Sequence, residues 1–379
     1  MELKMSQNKI PSIVYCEGQF GRIDGKTANG LVRHSDKYRI AGVVDSTMAG
    51  RDAGDVLDEC SNGIPIYKDV LSALEGKNRI VTTFIYGMAP LSGRLSKNDR
   101  DVLFYAMEKG LTIINGLHEF LTDDDEFLEK AKACGVELID VRKHKASDLS
   151  VFKNNIGKVT CPKIAVLGTD SATGKRTTSV LLTSALKKMG LKAIMIATGQ
   201  TGMIQGARYG SALDSIPEQF ISGEMESAVY EAWEGEHPDI MVIEGQGSLS
   251  HPAYLSSCFI IRGSQPDAIV VQHPPKRKTL SDYPDIKMPS IESEIRLLEA
   301  FAQAPVIAIT LNHENMSDVE VERTAKAYQK QFNIPASDVL KNGCDDLTQK
   351  ILDVFPNLST GSAPFQNTPT PHIEPVGVN

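Results

Sequence analysis

Residues 164–178, IAVLGTDSATGKRTT, constrain this chain more than any other stretch. Ile164 to Leu167 are apolar and β-prone, which predicts a buried strand. A small polar loop follows from Gly168 to Thr173. Gly174-Lys175 then opens a run in which Val180, Leu181, Leu182, Ala185, Leu186 and Met189 recur at helical spacing, until Gly190 stops it. Strand, glycine loop, lysine and helix together make a phosphate cradle. Loop amides and the helix N-terminus face an anion, and Lys175 supplies a mobile positive charge. The expected contacts are Gly168, Thr169, Asp170, Ser171, Gly174, Lys175, Arg176, Thr177 and Thr178.

The loop departs from the Walker A pattern in two places. Five residues separate Gly168 from Gly174, where the pattern has four. Arg176 stands where Ser or Thr would ligate Mg²⁺, with Thr177 and Thr178 directly after it. Lys175 and Arg176 side by side at a helix N-terminus already offer a phosphate two positive charges. Binding without a metal is therefore expected, and no metal site is expected elsewhere.

The chain has 379 residues, enough for two domains of ordinary size. A 41% hydrophobic and 23% charged composition is that of a globular protein, and the net charge of −8 gives no general attraction for nucleic acid. No run approaches a membrane span, and the N-terminus MELKMSQNK has no apolar core of a signal peptide. The six cysteines form no CxxC pair, so free thiols in a cytoplasmic protein are expected.

Residues 1–145 are predicted to form a Rossmann-like domain. Strands at 12–16, 39–44, 79–85, 112–114 and 136–141 alternate with helices at 26–34, 69–74, 98–109 and 124–134, which implies a parallel, doubly wound sheet. Gly18-Gln19-Phe20-Gly21 follows the first strand, and Asp45 closes the second. That arrangement is dinucleotide-like, but GQFG is not GxGxxG, so Gly18 and Gly21 are a cofactor loop or a structural turn. His118 follows another strand and faces either the cleft or solvent. Residues 143–161 lack periodicity and mark the domain boundary.

Residues 146–355 are predicted to form a second, mainly parallel α/β domain around the phosphate loop, and 356–379, rich in Pro, Thr, Ser and Asn, a disordered tail. Lys192 to Ile196 is a strand leading into ATGQTG, which holds Gln200, Thr201 and Gly202. The aperiodic stretch 203–222 carries Gln205, Arg208, Asp214 and Glu218 and suits a functional loop. A helix is expected from about Gly223, with Glu224 and Glu226 in its first turn. Asp239 to Ile243 is a buried strand ending in EGQGSLSHP. Glu244 there is a metal ligand, a base or a turn cap, Gln246 and Gly247 approach the ligand, and His251 is an acid/base or a structural residue. His273 closes the strand Ala268 to Gln272 and precedes the basic trio Lys276 to Lys278. Asn312 closes Val306 to Leu311.

Aligned in this way, the loops resemble two known groups. GTDSATGKRT, Glu244-Gly245 and Leu311-Asn312-His313 are similar to the corresponding loops of dethiobiotin synthetase and its P-loop relatives. The resemblance implies adenine recognition by Asn312. Over almost the whole chain, GTD-x-x-x-GKRTT, ATGQTG, a later Asp and IEGQGSLSHP resemble a bacterial and archaeal P-loop family long described as of unknown function, which includes a D-glutamate N-acetyltransferase using acetyl-CoA. The resemblance implies an acyl-CoA-dependent N-acyltransferase of D-amino acid metabolism. Lys175, Glu244 and His251 would then be catalytic, and Gln200, Thr201, Gly202, Arg208, Asp214, Gln246, Gly247 and His273 would surround the amino acid. The expected state is a homo-oligomer.

Three other readings stand beside it. One is an ATP- and Mg²⁺-dependent ligase or kinase that activates a carboxylate, with Thr177 or Asp170 and Glu244 holding the metal. The others are a nucleotide-binding regulator and an NAD-dependent enzyme built on the N-terminal domain.

Overall fold

A computed structural model describes residues 9–76 and 80–359. In the N-terminal part, short β-prone runs alternate with helices as β1 (Ile10–Tyr15), α1 (Lys26–Arg33), β2 (Tyr38–Val44), α2 (Ala53–Asp58), β3 (Ile66–Tyr67), α3 (Val70–Glu75), β4 (Thr83–Tyr86), α4 (Lys97–Glu108), β5 (Thr112–Asn115), α5 (Asp125–Cys134) and β6 (Leu138–Asp140). Every pair in the sheet is parallel, in the order β3-β2-β1-β4-β5-β6, the doubly wound order of dinucleotide folds. The helix ends are written in the sequence. Ser96 and Asp99 close a capping box on α4, Asp124 caps α5, and Gly135 stops it in the left-handed conformation.

The second part contains β7 (Lys163–Gly168), α6 (Lys175–Lys188), β8 (Ala193–Ala197), α7 (Gln200–Gln205), β9 (Tyr209–Gly210), α8 (Glu218–Glu236), β10 (Ile240–Glu244), α9 (Ser256–Ser264), β11 (Ala268–His273), β12 (Thr279–Leu280), β13 (Tyr283–Lys287), α10 (Ile291–Ala302), β14 (Val306–Leu311), α11 (Asp318–Phe332), β15 (Ala336–Ser337), α12 (Val339–Asn342) and α13 (Asp345–Val354). Its seven-stranded sheet, ordered β15-β14-β11-β7-β10-β8-β9, is parallel throughout, and β12 and β13 pair as a separate antiparallel hairpin. Strands β7, β10, β11 and β14 are buried along their whole length, as expected of a sheet covered by helices on both faces. No helix among the described residues is long and apolar enough to cross a membrane.

Several expectations change. Residues 203–222 are not one irregular loop, because α7, β9 and the start of α8 fall within or beside them. Helix α8 begins at Glu218, so Glu224 and Glu226 do not lie in its first turn. They accept backbone N–H groups of the connecting segment instead: Ser150 on Glu224 at 2.6 Å, and Lys153 and Ile156 on Glu226 at 2.6 and 3.1 Å. Pro356–Ser359 forms a 3₁₀ turn, and the rest of the expected tail lies outside the described residues. Of the expected strand at 79–85, residue 79 lies outside the described residues, and the strand observed after it is Thr83–Tyr86.

Candidate functional site

Both sheets turn the carboxyl ends of their strands toward one cleft, lined from each side and about 590 Å³ in volume. Ligands bind at that edge of open parallel sheets, because side chains and loop amides converge there. The N-terminal wall comes from residues 21–33 after β1, 89–93 after β4, Leu117 and His118 after β5, and Arg142 after β6. The opposite wall holds the phosphate loop, Gly199–Thr201, Asp214, Glu244–Gly247, Tyr254, Asp282 and Asn312–Glu314.

The phosphate loop is stiffened from behind. Gly174 sits at φ 104°, a conformation a side chain would resist, and leads directly into α6. Asp170 is fully buried. It accepts Ser171 N–H at 2.7 Å on one oxygen, and Arg277 Nη1 at 2.8 Å and Ser281 N–H at 2.9 Å on the other. Thr169 Oγ1 meets His273 Nδ1 at 2.9 Å. Gly168, Thr169 and Asp170 thus lie beneath the cleft floor and hold its shape, whereas Ser171, Gly174, Lys175, Arg176, Thr177 and Thr178 line it. Thr178 Oγ1 donates to Gln272 Oε1 at 2.5 Å, and the Asn312 amide donates to Thr173 O at 3.0 Å while accepting Glu314 N–H at 3.0 Å. Asn312 therefore ties β14 to the loop with one N–H and one lone pair, and the side chain also lines the cleft.

Three charges meet at the centre. Lys175 is buried, and its Nζ folds back onto Asp170 O at 2.5 Å. Burial lowers its pKa to about 8, with Asp170 and Glu244 pulling the other way. Glu244 is buried at the end of β10, and its Oε2 accepts Thr198 N–H at 3.1 Å. Burial raises its pKa to about 7 against the opposing effects of Arg176, the Thr198 N–H and Lys175. Arg176 lines the cleft but donates to Gln205 Oε1, and the Gln205 amide in turn donates to Gly30 O at 2.8 Å and His34 O at 2.6 Å. It acts as a strut from α6 to α1 and leaves the charge at the cradle mouth to Lys175.

Two further contacts join the domains. Thr27 and Thr201 hydroxyls meet at 2.9 Å. Arg142 Nε and Nη2 donate to the two Asp214 oxygens at 3.1 and 2.6 Å, and Nη2 also donates to Gln200 Oε1 at 2.8 Å. Burial pushes the Asp214 pKa up, but the Arg142 guanidinium outweighs it and the carboxyl lies below its usual range. His118 stands beside this pair, its Nε2 4.0 Å from Asp214 Oδ2.

Of the other expected residues, Gln200, Thr201, Asp214, Gln246 and Gly247 line the cleft, and four do not. Gly202 backs Glu244, where an added Cβ would come within 2.9 Å of Oε2. Arg208 is mostly exposed just before the edge strand β9, where it pairs with Glu236 and lies over the Tyr209 ring. The regular structure of α7 and β9 removes the mobile substrate loop in which Arg208 would have acted. His251 is buried behind the phosphate loop. Its Nδ1 accepts Ala253 and Tyr254 N–H at 3.2 and 3.0 Å, so the neutral ring carries its proton on Nε2, 3.6 Å from Asp170 Oδ1. Burial lowers its pKa against the pull of Asp170 and Asp282, and the ring stacks on Tyr254. His273 is held near 4 by burial and opens onto a separate hollow of about 540 Å³ with Arg277, Lys278 and Tyr328.

The sequence reading missed Lys26, Arg142, Tyr254 and Asp282 as cleft residues. Their only signal was their place one loop after a strand. The dinucleotide expectation for the N-terminal domain also changes. Asp45 is fully buried and accepts Phe20 N–H at 3.1 Å and Thr47 N–H at 2.9 Å, so it locks the GQFG turn instead of facing a ribose.

These features define a P-loop α/β protein whose phosphate loop is roofed by the ligand-binding edge of a Rossmann-like domain. The chain belongs to the DUF1611 family: the family's P-loop domain, a domain of unknown function, matches residues 150–348, and its Rossmann-like N-terminal domain matches 46–144. A D-glutamate N-acetyltransferase of Pseudoalteromonas sp is 34% identical over 276 residues, which are 71% of this chain and 81% of that protein. A protein of the same name from Tritonibacter scottomollicae is 29% identical over 287 residues, 74% of this chain and 84% of that protein. A crystal structure of a DUF1611 family protein from Anabaena variabilis superposes with a TM-score of 0.82 at 30% identity, covering 91% of this chain and 100% of that chain.

Proposed function

We propose that the protein is an N-acyltransferase that moves an acetyl group from acetyl-CoA to the amine of an acidic, D-glutamate-like amino acid. The observation that carries this is Glu244. It is a buried carboxyl with a pKa near 7, at the point where the phosphate cradle meets the N-terminal wall. A base poised near neutrality can take a proton from an ammonium and remain in the dry interior. The names of the two relatives support the same reaction class.

In this reading the phosphates of the donor displace the Asp170 carbonyl from Lys175. Glu244 receives the acceptor's ammonium proton, and the freed amine attacks the thioester carbonyl. The C–N bond forms and the C–S bond breaks, the second proton of the attacking nitrogen passes to the departing thiolate, and the proton held by Glu244 returns to solvent. Residues 199–201 line the same cleft, and in this reading their backbone amides stabilise the oxyanion. The ligase reading would need Asp170 or Thr177, with Glu244, to hold Mg²⁺. Both oxygens of Asp170 already have N–H partners, which leaves Thr177 with Glu244 for that role. Calorimetric titration separates the two. Acetyl-CoA binding in EDTA supports the transferase, whereas nucleotide binding that requires Mg²⁺, with none of acetyl-CoA, overturns it.

A further inference from the structure

The cleft is not uniform in charge. Its floor offers the cations and amides a phosphate needs, but the wall facing it is mixed. Lys26, Arg142 and Asp24 stand there, and Asp214 and Asp282 of the P-loop domain line the same cleft from the other side. A phosphate would be repelled by three carboxylates. A zwitterion suits such a wall, because its ammonium turns to the carboxylates and its carboxylate to a cation.

Of the two cations, Arg142 is already committed to Asp214, Gln200 and Gly116 O. Lys26 is different. It is the first residue of α1, open to the cleft, and among the described residues its Nζ has no hydrogen-bond or ion-pair partner. Burial and the nearby Arg142 guanidinium lower its pKa, while Asp282, Asp214 and Asp24 pull the other way without touching it. The backbone beneath is fixed: Gly25 N–H donates to Arg22 O at 3.2 Å, and Ala28 N–H to Gly87 O at 2.9 Å, tying α1 to the loop after β4. The neighbouring Thr27 is pinned to Thr201 of the other domain. A cation on a rigid base thus opens onto the same cleft that Lys175 and Glu244 line.

We propose that Lys26 binds a carboxylate of the amino-acid acceptor, so that the N-terminal domain selects the acceptor while the P-loop domain holds the donor. This rests on the acyltransferase reading above. It assigns the Rossmann-like edge a substrate in place of a dinucleotide. The acceptor's carboxylate would meet Lys26, while its ammonium lies toward Glu244 and the surrounding aspartates.

The test compares the full-length protein with Lys26→Met, which keeps the length of the side chain and its helix propensity, and with Lys26→Arg, which keeps the charge. Calorimetry with CoA present measures binding of D-glutamate, D-glutamine and D-isoglutamine, and a separate titration measures acetyl-CoA. Lys26→Met is expected to weaken D-glutamate roughly tenfold to a hundredfold, as loss of one charge-assisted contact does. Acetyl-CoA affinity and the melting curve should stay unchanged, and Lys26→Arg should recover most of the loss. The amide that Lys26→Met binds as well as it binds D-glutamate identifies which carboxylate Lys26 reads. Loss of acetyl-CoA affinity in Lys26→Met would make Lys26 a phosphate ligand and overturn the proposal, as would unchanged D-glutamate binding. Failure of the functional reading looks different: the wild-type protein itself would bind none of the three amino acids.

Discussion

Glu244→Gln separates the raised pKa of this side chain from its proposed role as the base. Glutamine fills the same space and can still accept the Thr198 N–H, but it carries no charge and takes no proton. The folded-state pKa is raised from 4.5 to about 7. A raised pKa means that the folded protein binds this proton more tightly than the unfolded chain. The stability contributed is fully present below about 4.5 and declines until pH passes about 7. At about 1.4 kcal/mol per unit, holding the carboxylate buried above pH 7 costs about 3 kcal/mol, to order of magnitude. Glu244→Gln should therefore melt close to the wild type at about pH 5 and several degrees above it at about pH 8. Over the same range its acetyl transfer should fall by roughly a hundredfold to ten-thousandfold, the usual contribution of a general base. Scanning calorimetry at both pH values and a thiol assay for released CoA read the two effects independently. A variant with wild-type turnover would refute the base assignment. A melting difference that does not change with pH would refute the raised pKa.

Lys175→Ala should abolish most acetyl-CoA affinity and leave the melting curve little changed; calorimetric affinity at the wild-type level would remove the phosphate assignment. Because Lys175 titrates near 8, kcat/KM for acetyl-CoA in the wild type should rise through about pH 7 as Glu244 ionises and fall again above about 8. Arg142→Met leaves the Asp214 carboxylate, 30% exposed, without its guanidinium, and should cost about 2–3 kcal/mol in chemical denaturation. The double variant with Asp214→Asn should recover part of that loss.

What the sequence made legible follows from how local each signal was. The strand, loop and helix of 163–188 could be read residue by residue, because an apolar run, a glycine turn and a 3.6-residue period are contained in one segment. Helix α11 was missed for a local reason too. Val321, Ala325, Tyr328 and Phe332 recur at helical spacing and pack on the core, but only Val321 is buried and the residues between them are mostly polar, so the stripe is faint. The Ser317–Glu320 capping box was a second signal for it. His251 looked catalytic and His273 substrate-binding because they end or follow strands. Which way each ring points is decided by packing against Asp170 and Thr169, at sequence separations of 81 and 104 that no local pattern reports. Lys26 and Arg142 were hidden for the same reason: no local pattern shows that two parallel sheets face each other edge to edge.

The central claim is that one cleft carries an acetyl group from a thioester to an amine with no need of a metal. The most direct measurement is mass spectrometry of the products formed from acetyl-CoA and D-glutamate by the wild-type protein in EDTA, run beside a reaction with ATP and Mg²⁺. The account predicts N-acetyl-glutamate and free CoA in equal amounts in EDTA, and no ADP from ATP. Release of ADP only when Mg²⁺ and an amino acid are present, with no N-acetylated product in either reaction, would contradict it.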